Sequence, residues 1–238
     1  MSYIFNKNLI FLLLIVTFYS CSDDSGTDPN DGFIGATFQL EDGQTWEYKR
    51  YLVEEEVDEL FGMSYYKVES NGMQFGKKSF KFFASNNKED LGEGKFGLTS
   101  TDENGYYSII NDSYSNFIEI FPELENKWIK QIDYKSENWT QFDLKLDSTL
   151  ENGSKLNAIF KISGTKGNDT KVEYKNETYS ATQYKSEIVA IIRADDIALE
   201  DIQYNVETIL IEGIGIFRTE RNVLGSEQKA YELLVDNK

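Results

Sequence analysis

From Thr140 to Leu146 the side chains alternate in polarity without a break. Phe142, Leu144 and Leu146 fall on one side, and Gln141, Asp143 and Lys145 on the other. A period of two is the signature of a half-buried antiparallel strand; a helix cannot gather such a set on one face. The same pattern recurs along the chain, between Asn- and Gly-rich punctuation. Gln44–Tyr51, Ser64–Glu69, Lys78–Ala84 and Tyr106–Ile110 read as strands, as does Asn116–Phe121. Leu156–Ser163, Thr170–Tyr174, Thr182–Arg193, Val206–Gly213, Ile214–Arg221 and Lys229–Val235 follow. Turns are predicted at Asn71-Gly72, Asn86-Asn87, Asn104-Gly105, Glu151–Ser154 and Lys166–Asp169. Glu54–Leu60 reads as a helical turn or a loop, and Ala194–Gln203 as the one helix of any length. The run Ile188–Ile192 loses alternation, which predicts burial on both faces.

About twelve strands and few helix signals predict a mostly β fold. It is a single antiparallel curved sheet or half-open β-barrel with one or two short helices. Aromatic residues make up 14% of the chain and there are only two prolines, a composition that suits strands.

The first residues carry a different message. A polar start with Lys7 leads into the apolar run Leu9–Phe18. That run is too short to span a bilayer comfortably, which takes about 20 residues, and fits the core of a secretory signal. The only cysteine, Cys21, follows at once. Phe18-Tyr19-Ser20-Cys21 resembles a relaxed bacterial lipobox, with Phe18 where leucine is usual. Cys21-Ser22-Asp23-Asp24 resembles the acidic surface-export signal of Bacteroidetes lipoproteins. The resemblance implies a signal peptide over 1–20, lipidation (palmitate included) of Cys21, and a lipid-anchored, surface-exposed place on the cell outer membrane. Residues 21–35, rich in Ser, Asp, Gly and Asn, read as a flexible tether. Residues 36–238 read as one β-rich domain.

Across that domain, Gly43-Gln44-Thr45-Trp46-Glu47-Tyr48 opens a first strand and Val172–Tyr179 has the spacing of a hairpin. Gly213-Ile214-Gly215-Ile216-Phe217 and a closing Tyr231-Glu232-Leu233 follow. These elements, in this order, resemble a family of secreted bacterial lipoproteins; nothing aligns between Tyr51 and Ile132. The resemblance implies a half-open barrel similar to lipoprotein-carrier folds, and no catalytic residues.

Composition removes several chemistries. The chain has no histidine, and lipidation would consume Cys21, so Ser/His and Cys/His mechanisms and the usual zinc ligand sets are excluded. A formal charge of −17, about −18 without the leader, repels nucleic acid. No cofactor and no transition-metal site are expected. Asp28–Gly32 and Asp102–Gly105 have calcium-type residues but lack the full loop with its terminal Glu, so they read as turns. Asp195-Asp196 and Glu200-Asp201 are the carboxylate pairs a glycosidase reading would draw on; both read as solvated surface. Trp46, Trp128 and Trp139 are candidate ligand-binding aromatics, as sugar platforms or as parts of a core. Asp147-Ser148-Thr149 matches a short glycosylation acceptor of Bacteroidetes.

The expected function is that of a non-enzymatic, membrane-anchored lipoprotein that binds an apolar or glycan ligand on its curved sheet. The alternatives are a structural or interaction component of an outer-membrane assembly, with a protein partner there, and a carboxylate-based glycan hydrolase.

Overall fold

The computed structural model describes residues 36–54, 57–109, 115–223 and 229–238. The leader, Cys21, Asp28–Gly32 and the expected tether lie outside them. Twelve antiparallel strands form one sheet. They are β1 (Thr45–Glu54), β2 (Val57–Gln74), β3 (Lys77–Ser85), β4 (Phe96–Asp102), β5 (Gly105–Ile109) and β6 (Trp128–Asp133). The second half is β7 (Asn138–Thr149), β8 (Lys155–Tyr174), β9 (Glu177–Ala194), β10 (Ile197–Ile211), β11 (Gly215–Val223) and β12 (Lys229–Asn237).

The strand order is β6-β5-β4-β3-β2-β1-β12-β11-β10-β9-β8-β7. The first and last strands pair at the centre of the sheet, Tyr48 opposite Leu234 and Arg50 opposite Glu232. From that pair the chain meanders outward in both directions. The edge strands β6 and β7 are consecutive in sequence and come together without sharing a backbone ladder among the described residues. The result is a nearly closed barrel with its seam between β6 and β7. Closing a sheet in this way leaves few open edges for another chain to pair with.

Three of the hairpins turn on two residues with positive φ. They are Phe75-Gly76, Lys175-Asn176 and Asp195-Asp196, with φ of 46° and 80°, 51° and 64°, and 47° and 65°. This is the backbone twist that matches right-handed strands. The turn at Lys175-Asn176 joins β8 to β9 and realises the hairpin expected over Val172–Tyr179.

Two bodies fill the barrel. One is the connection between β5 and β6. Its helix α1 (Ser115–Ile120) and a following 3-10 turn, Pro122–Leu124, place Phe117, Phe121 and Leu124 inward. These pack on Phe142, Phe160, Ile162, Ile188, Ala190 and Ile192 from β7, β8 and β9. The other is the segment before β1. Ala36, Phe38 and Leu40 are buried against Trp46, Tyr66, Tyr134 and Tyr184. Backbone groups lost from the ladder there find side chains. Ala36 N donates to Thr182 Oγ1 and Leu40 N to Thr101 Oγ1, while Tyr184 Oη donates to the Ala36 carbonyl.

Several local expectations are corrected. Ala194–Gln203 is no helix: Asp195-Asp196 is the β9–β10 turn, and the rest continues as β10. Asn116–Phe121 is not a strand but α1, because Phe117, Phe121 and Leu124 recur at helical spacing and share one buried cluster. Lys166–Asp169 and Asn71-Gly72 are not turns. Each marks a register shift inside a long strand, between Lys166 and Asp169 and between Ser70 and Met73. Glu54 ends β1 and Val57–Leu60 begins β2, so the expected turn or loop there is strand on both sides of residues 55–56. Ile188–Ile192 is buried most deeply on its inner side, at Ile188, Ala190 and Ile192; Ile191 is also buried, and Val189 half-buried.

Gly164 on β8 is held by packing. A Cβ there would lie 2.1 Å from the indole of Trp139. Gly164→Ala is expected to lower stability by about 1–3 kcal/mol through forced displacement of a buried ring. The check is the urea midpoint, and an unchanged midpoint would contradict the close packing of this pair.

Candidate functional site

Beside the segment before β1, whose Phe38 and Leu40 form part of its wall, the barrel keeps a cavity of about 120 Å³. Its wall is mostly aromatic and aliphatic: Phe38, Trp46, Tyr48, Tyr66, Phe82 and Ile188 represent the segments that meet there. Strand alternation accounts for the convergence. Trp46 and Tyr48 on β1 face inward, and Tyr66 lies directly opposite Trp46 on β2. Tyr48 and Tyr66 meet edge to face at 5.4 Å, and Tyr66 stacks on Phe82 at 5.2 Å.

The polar part of the wall is small and specific. Among the described residues, Glu232 on β12 and Arg221 on β11 are the charged side chains lining the cavity. Glu232 is 8% exposed. Its carboxylate accepts from Ser64 Oγ at 2.6 Å and from Tyr66 Oη at 2.9 and 2.8 Å. Arg50 sits directly across the β1–β12 ladder from it, on the same inward face. A buried carboxylate persists only with such company. Burial pushes the hydroxyls of Tyr48 and Tyr66 well above the ordinary tyrosine range, and the nearby Glu232 charge pushes them further. Burial likewise raises Tyr106, Tyr134 and Tyr184.

These tyrosines make stability sensitive to alkali. Their folded pKa lies above the unfolded value of about 10. Their contribution is therefore complete below about pH 10 and is lost as pH rises past it. Phenolate absorbance should rise first for exposed tyrosines, then in a second step that coincides with loss of β circular dichroism. Full ionisation of all 15 tyrosines with the fold intact would contradict this.

The three tryptophans proposed from sequence are separated. Trp46 is 5% exposed and lines the cavity; its indole Nε1 is buried without a hydrogen-bond partner. Trp139, 8% exposed, lies over Gly164 and meets Tyr184 edge-on. Trp128, 7% exposed, joins Tyr107 and Ile109 in a cluster apart from the two main ones, and its Nε1 donates to the Gln74 carbonyl at 2.9 Å. None of them is an open stacking platform, and only Trp46 faces a space a ligand could enter.

The carboxylate pairs weighed from sequence do not converge either. Asp195 caps the β7–β8 turn region by accepting from Lys155 N, Glu200 accepts from Asn116 Nδ2, and Asp201 faces Arg193. Asp102 holds its own hairpin turn, accepting from Asn104 N and Gly105 N, and pairs with Lys77. Burial works against its charge, but Lys77 and the Asn104 N–H prevail and hold its carboxyl below the usual range. Among the described residues no group of three acidic, histidine or cysteine side chains is placed to hold a metal. At the suggested glycosylation acceptor, Ser148 is half-buried and Thr149 exposed at the end of β7.

Sequence reading did not single out Glu232, Arg221, Tyr48 or Tyr66. The alternation of β12 carries no signal for Glu232, because its more apolar set is Tyr231, Leu233 and Val235, whereas the structure turns Ala230, Glu232 and Leu234 inward.

Among solved structures, the chain is similar to a candidate lipoprotein from Parabacteroides distasonis ATCC 8503. The two share 11% identity and a TM-score of 0.47 over 86% of this chain and 99% of that one. It is also similar to a candidate exported protein with a YmcC-like fold from Bacteroides fragilis NCTC 9343. There the identity is 13% and the TM-score 0.42, again over 86% of this chain and 99% of that one. No protein-family model and no curated protein sequence matches the chain.

Proposed function

We propose that this is a lipid-anchored cell-envelope protein whose barrel is a non-enzymatic binding module for a small ligand with an apolar part. The anchor and the outer-membrane, surface-exposed location rest on the leader and on Cys21. The binding role rests on one observation: a largely apolar cavity inside a nearly closed barrel, with a buried, hydrogen-bonded carboxylate and an arginine in its wall. Convergent polar groups in an apolar pocket are the usual mark of a ligand site. The hydrolase reading finds no second carboxylate among the described residues of this wall to work with Glu232. A glycan bound on the outer sheet surface has no support from Trp46, Trp128 or Trp139, all of which are buried.

Native mass spectrometry of protein purified from its own cells tests the proposal. A stoichiometric small molecule is expected on the wild type and absent from Val206→Phe, which fills the cavity from β10. A wild type that carries nothing, in a barrel that also refuses added apolar probes, would overturn it.

A second reading, an interaction component of an outer-membrane assembly, draws on one end of the barrel. Val57 and Leu60 at the start of β2, and Ile197 and Leu199 at the start of β10, are 65%, 55%, 68% and 65% exposed. Strand direction puts both hairpin ends on the same side of the sheet. Apolar side chains left in water at one end of a molecule suit a protein contact.

A further inference from the structure

We infer that the interior cavity takes a small uncharged molecule, an apolar ring or short chain bearing an acceptor oxygen, and that the Trp46 indole N–H holds that oxygen. The inference rests on the binding role proposed above and adds the chemistry of the ligand. Size sets the first limit. An engineered protein cavity of about 150 Å³ takes up benzene, so about 120 Å³ holds one ring or a short chain and excludes a long acyl chain.

Hydrogen bonding sets the second. Tyr48, Tyr66 and Gln131 of the wall already donate within the protein. Tyr48 Oη donates to the Ile216 carbonyl at 2.6 Å, Tyr66 Oη to Glu232, and Gln131 Nε2 to Ser108 Oγ at 2.7 Å. The Trp46 indole differs. Trp46 is 5% exposed and lines the cavity, and its Nε1 is buried with no hydrogen-bond partner. Nε1 and the Phe38 ring, another part of the wall, lie 3.4 and 3.5 Å from where a Cβ on Gly215 would stand. An indole N–H can only donate, so what answers it is an acceptor. A buried donor without one is costly, and a ligand oxygen placed there removes that penalty on binding.

Charge sets the third. Glu232 and Arg221 bring one charge of each sign to the wall. The carboxylate is met by Ser64 and Tyr66, and Arg221 is likewise engaged within the protein. An anion or a cation would leave water for a largely apolar wall whose charges already have company, and its desolvation would go uncompensated. A ketone, ether or ester oxygen carries a far smaller penalty and accepts the hydrogen bond that Trp46 offers.

Cyclopentane derivatives that differ in one group test this on the full-length protein: cyclopentanone, its hydrocarbon isostere methylenecyclopentane, cyclopentylamine and cyclopentanecarboxylate. By NMR with nitrogen-labelled tryptophan, one of the three indole N–H signals is expected to move downfield with cyclopentanone and not with methylenecyclopentane. It should be the signal that Trp46→Phe removes. By calorimetry, Trp46→Phe should lower the affinity for cyclopentanone about tenfold relative to methylenecyclopentane, the size of one hydrogen bond. Both charged probes should bind the wild type at least about tenfold more weakly than cyclopentanone. The wild-type spectrum decides the acceptor even where Trp46→Phe does not fold. If cyclopentanone binds and no indole signal moves downfield, the acceptor selection is wrong while the cavity remains a binding site. A charged probe that binds as tightly as cyclopentanone overturns the selection for an uncharged ligand. If none of the four binds, the cavity reading itself fails.

Discussion

Glu232→Ala is expected to destabilise the fold by about 3–5 kcal/mol, the cost of breaking a buried charge constellation by removing one member. The loss has three sources. Ser64 Oγ and Tyr66 Oη lose their buried acceptor. Arg50, across the β1–β12 ladder, loses the anion opposite its own charge. The missing side chain also enlarges the cavity. All of this falls at the strand pair that joins the two halves of the sheet, so the effect should appear as a single cooperative shift of the denaturant midpoint. Glu232→Gln keeps an acceptor oxygen and the shape, and should lose less. In Glu232→Gln the hydroxyls of Tyr48 and Tyr66 should ionise at lower pH than in the wild type, because the carboxylate charge that raises them is gone. An Ala variant with a wild-type midpoint would show that Glu232 is not the keystone of the interior.

The sheet was legible in the sequence because its physics is local. Alternation at Phe142, Leu144 and Leu146 and the spacing of Val172–Tyr179 specify strands and a hairpin without reference to distant residues. What failed was local pattern that tertiary packing reassigned. In Asn116–Phe121 the string alternates well enough for a strand, but Phe117, Phe121 and Leu124 also fit one helical face. The buried surface of β7 to β9 decides between them. In Ala194–Gln203, helix-favouring residues follow Asp195-Asp196, and the need for a two-residue turn overrides their propensity.

The site was less legible, for a reason visible in β12. Tyr231, Leu233 and Val235 form the more apolar of its two faces, so pattern alone turns them inward. The strand does the reverse and brings Ala230, Glu232 and Leu234 inside. A register shift opposite Glu47 and Tyr48 helps to set that phase. Tyr231 is buried nonetheless, stacked on Tyr51 at 4.7 Å with the Arg218 guanidinium 4.1 Å from its ring centre. Both faces of β12 are thus covered, and hydropathy could not say which one held the cavity. Of the tryptophans Trp46 lines the cavity and Trp128 and Trp139 do not, because rings that size are buried wherever they occur, whether or not a ligand is near.

Cys21→Ala is expected to move the protein from wholly membrane-bound to wholly soluble, read by detergent phase partition and by metabolic labelling with a palmitate analogue. The magnitude follows from how little else could hold it. At −17 the chain is repelled by anionic lipid headgroups. No helix among the described residues is long and apolar enough to cross a bilayer. The sheet turns charged side chains outward, as Lys145 and Asp143 do on β7 and Lys185 and Glu207 on β9 and β10. The exposed Val57, Leu60, Ile197 and Leu199 sit among Asp58, Glu59, Asp195 and Asp196, which disfavours contact with an acidic membrane surface. Acyl chains contribute about 0.8 kcal/mol for each methylene buried, and stable anchoring takes more than one chain, which a diacylated cysteine supplies. Under the proposed anchoring through Cys21, loss of that one thiol removes the whole attachment. If Cys21→Ala still partitions into detergent with its leader cleaved, the barrel end is the membrane contact. If it does so with the leader retained, Leu9–Phe18 is holding it. Either result would replace the lipid anchor with a different means of attachment.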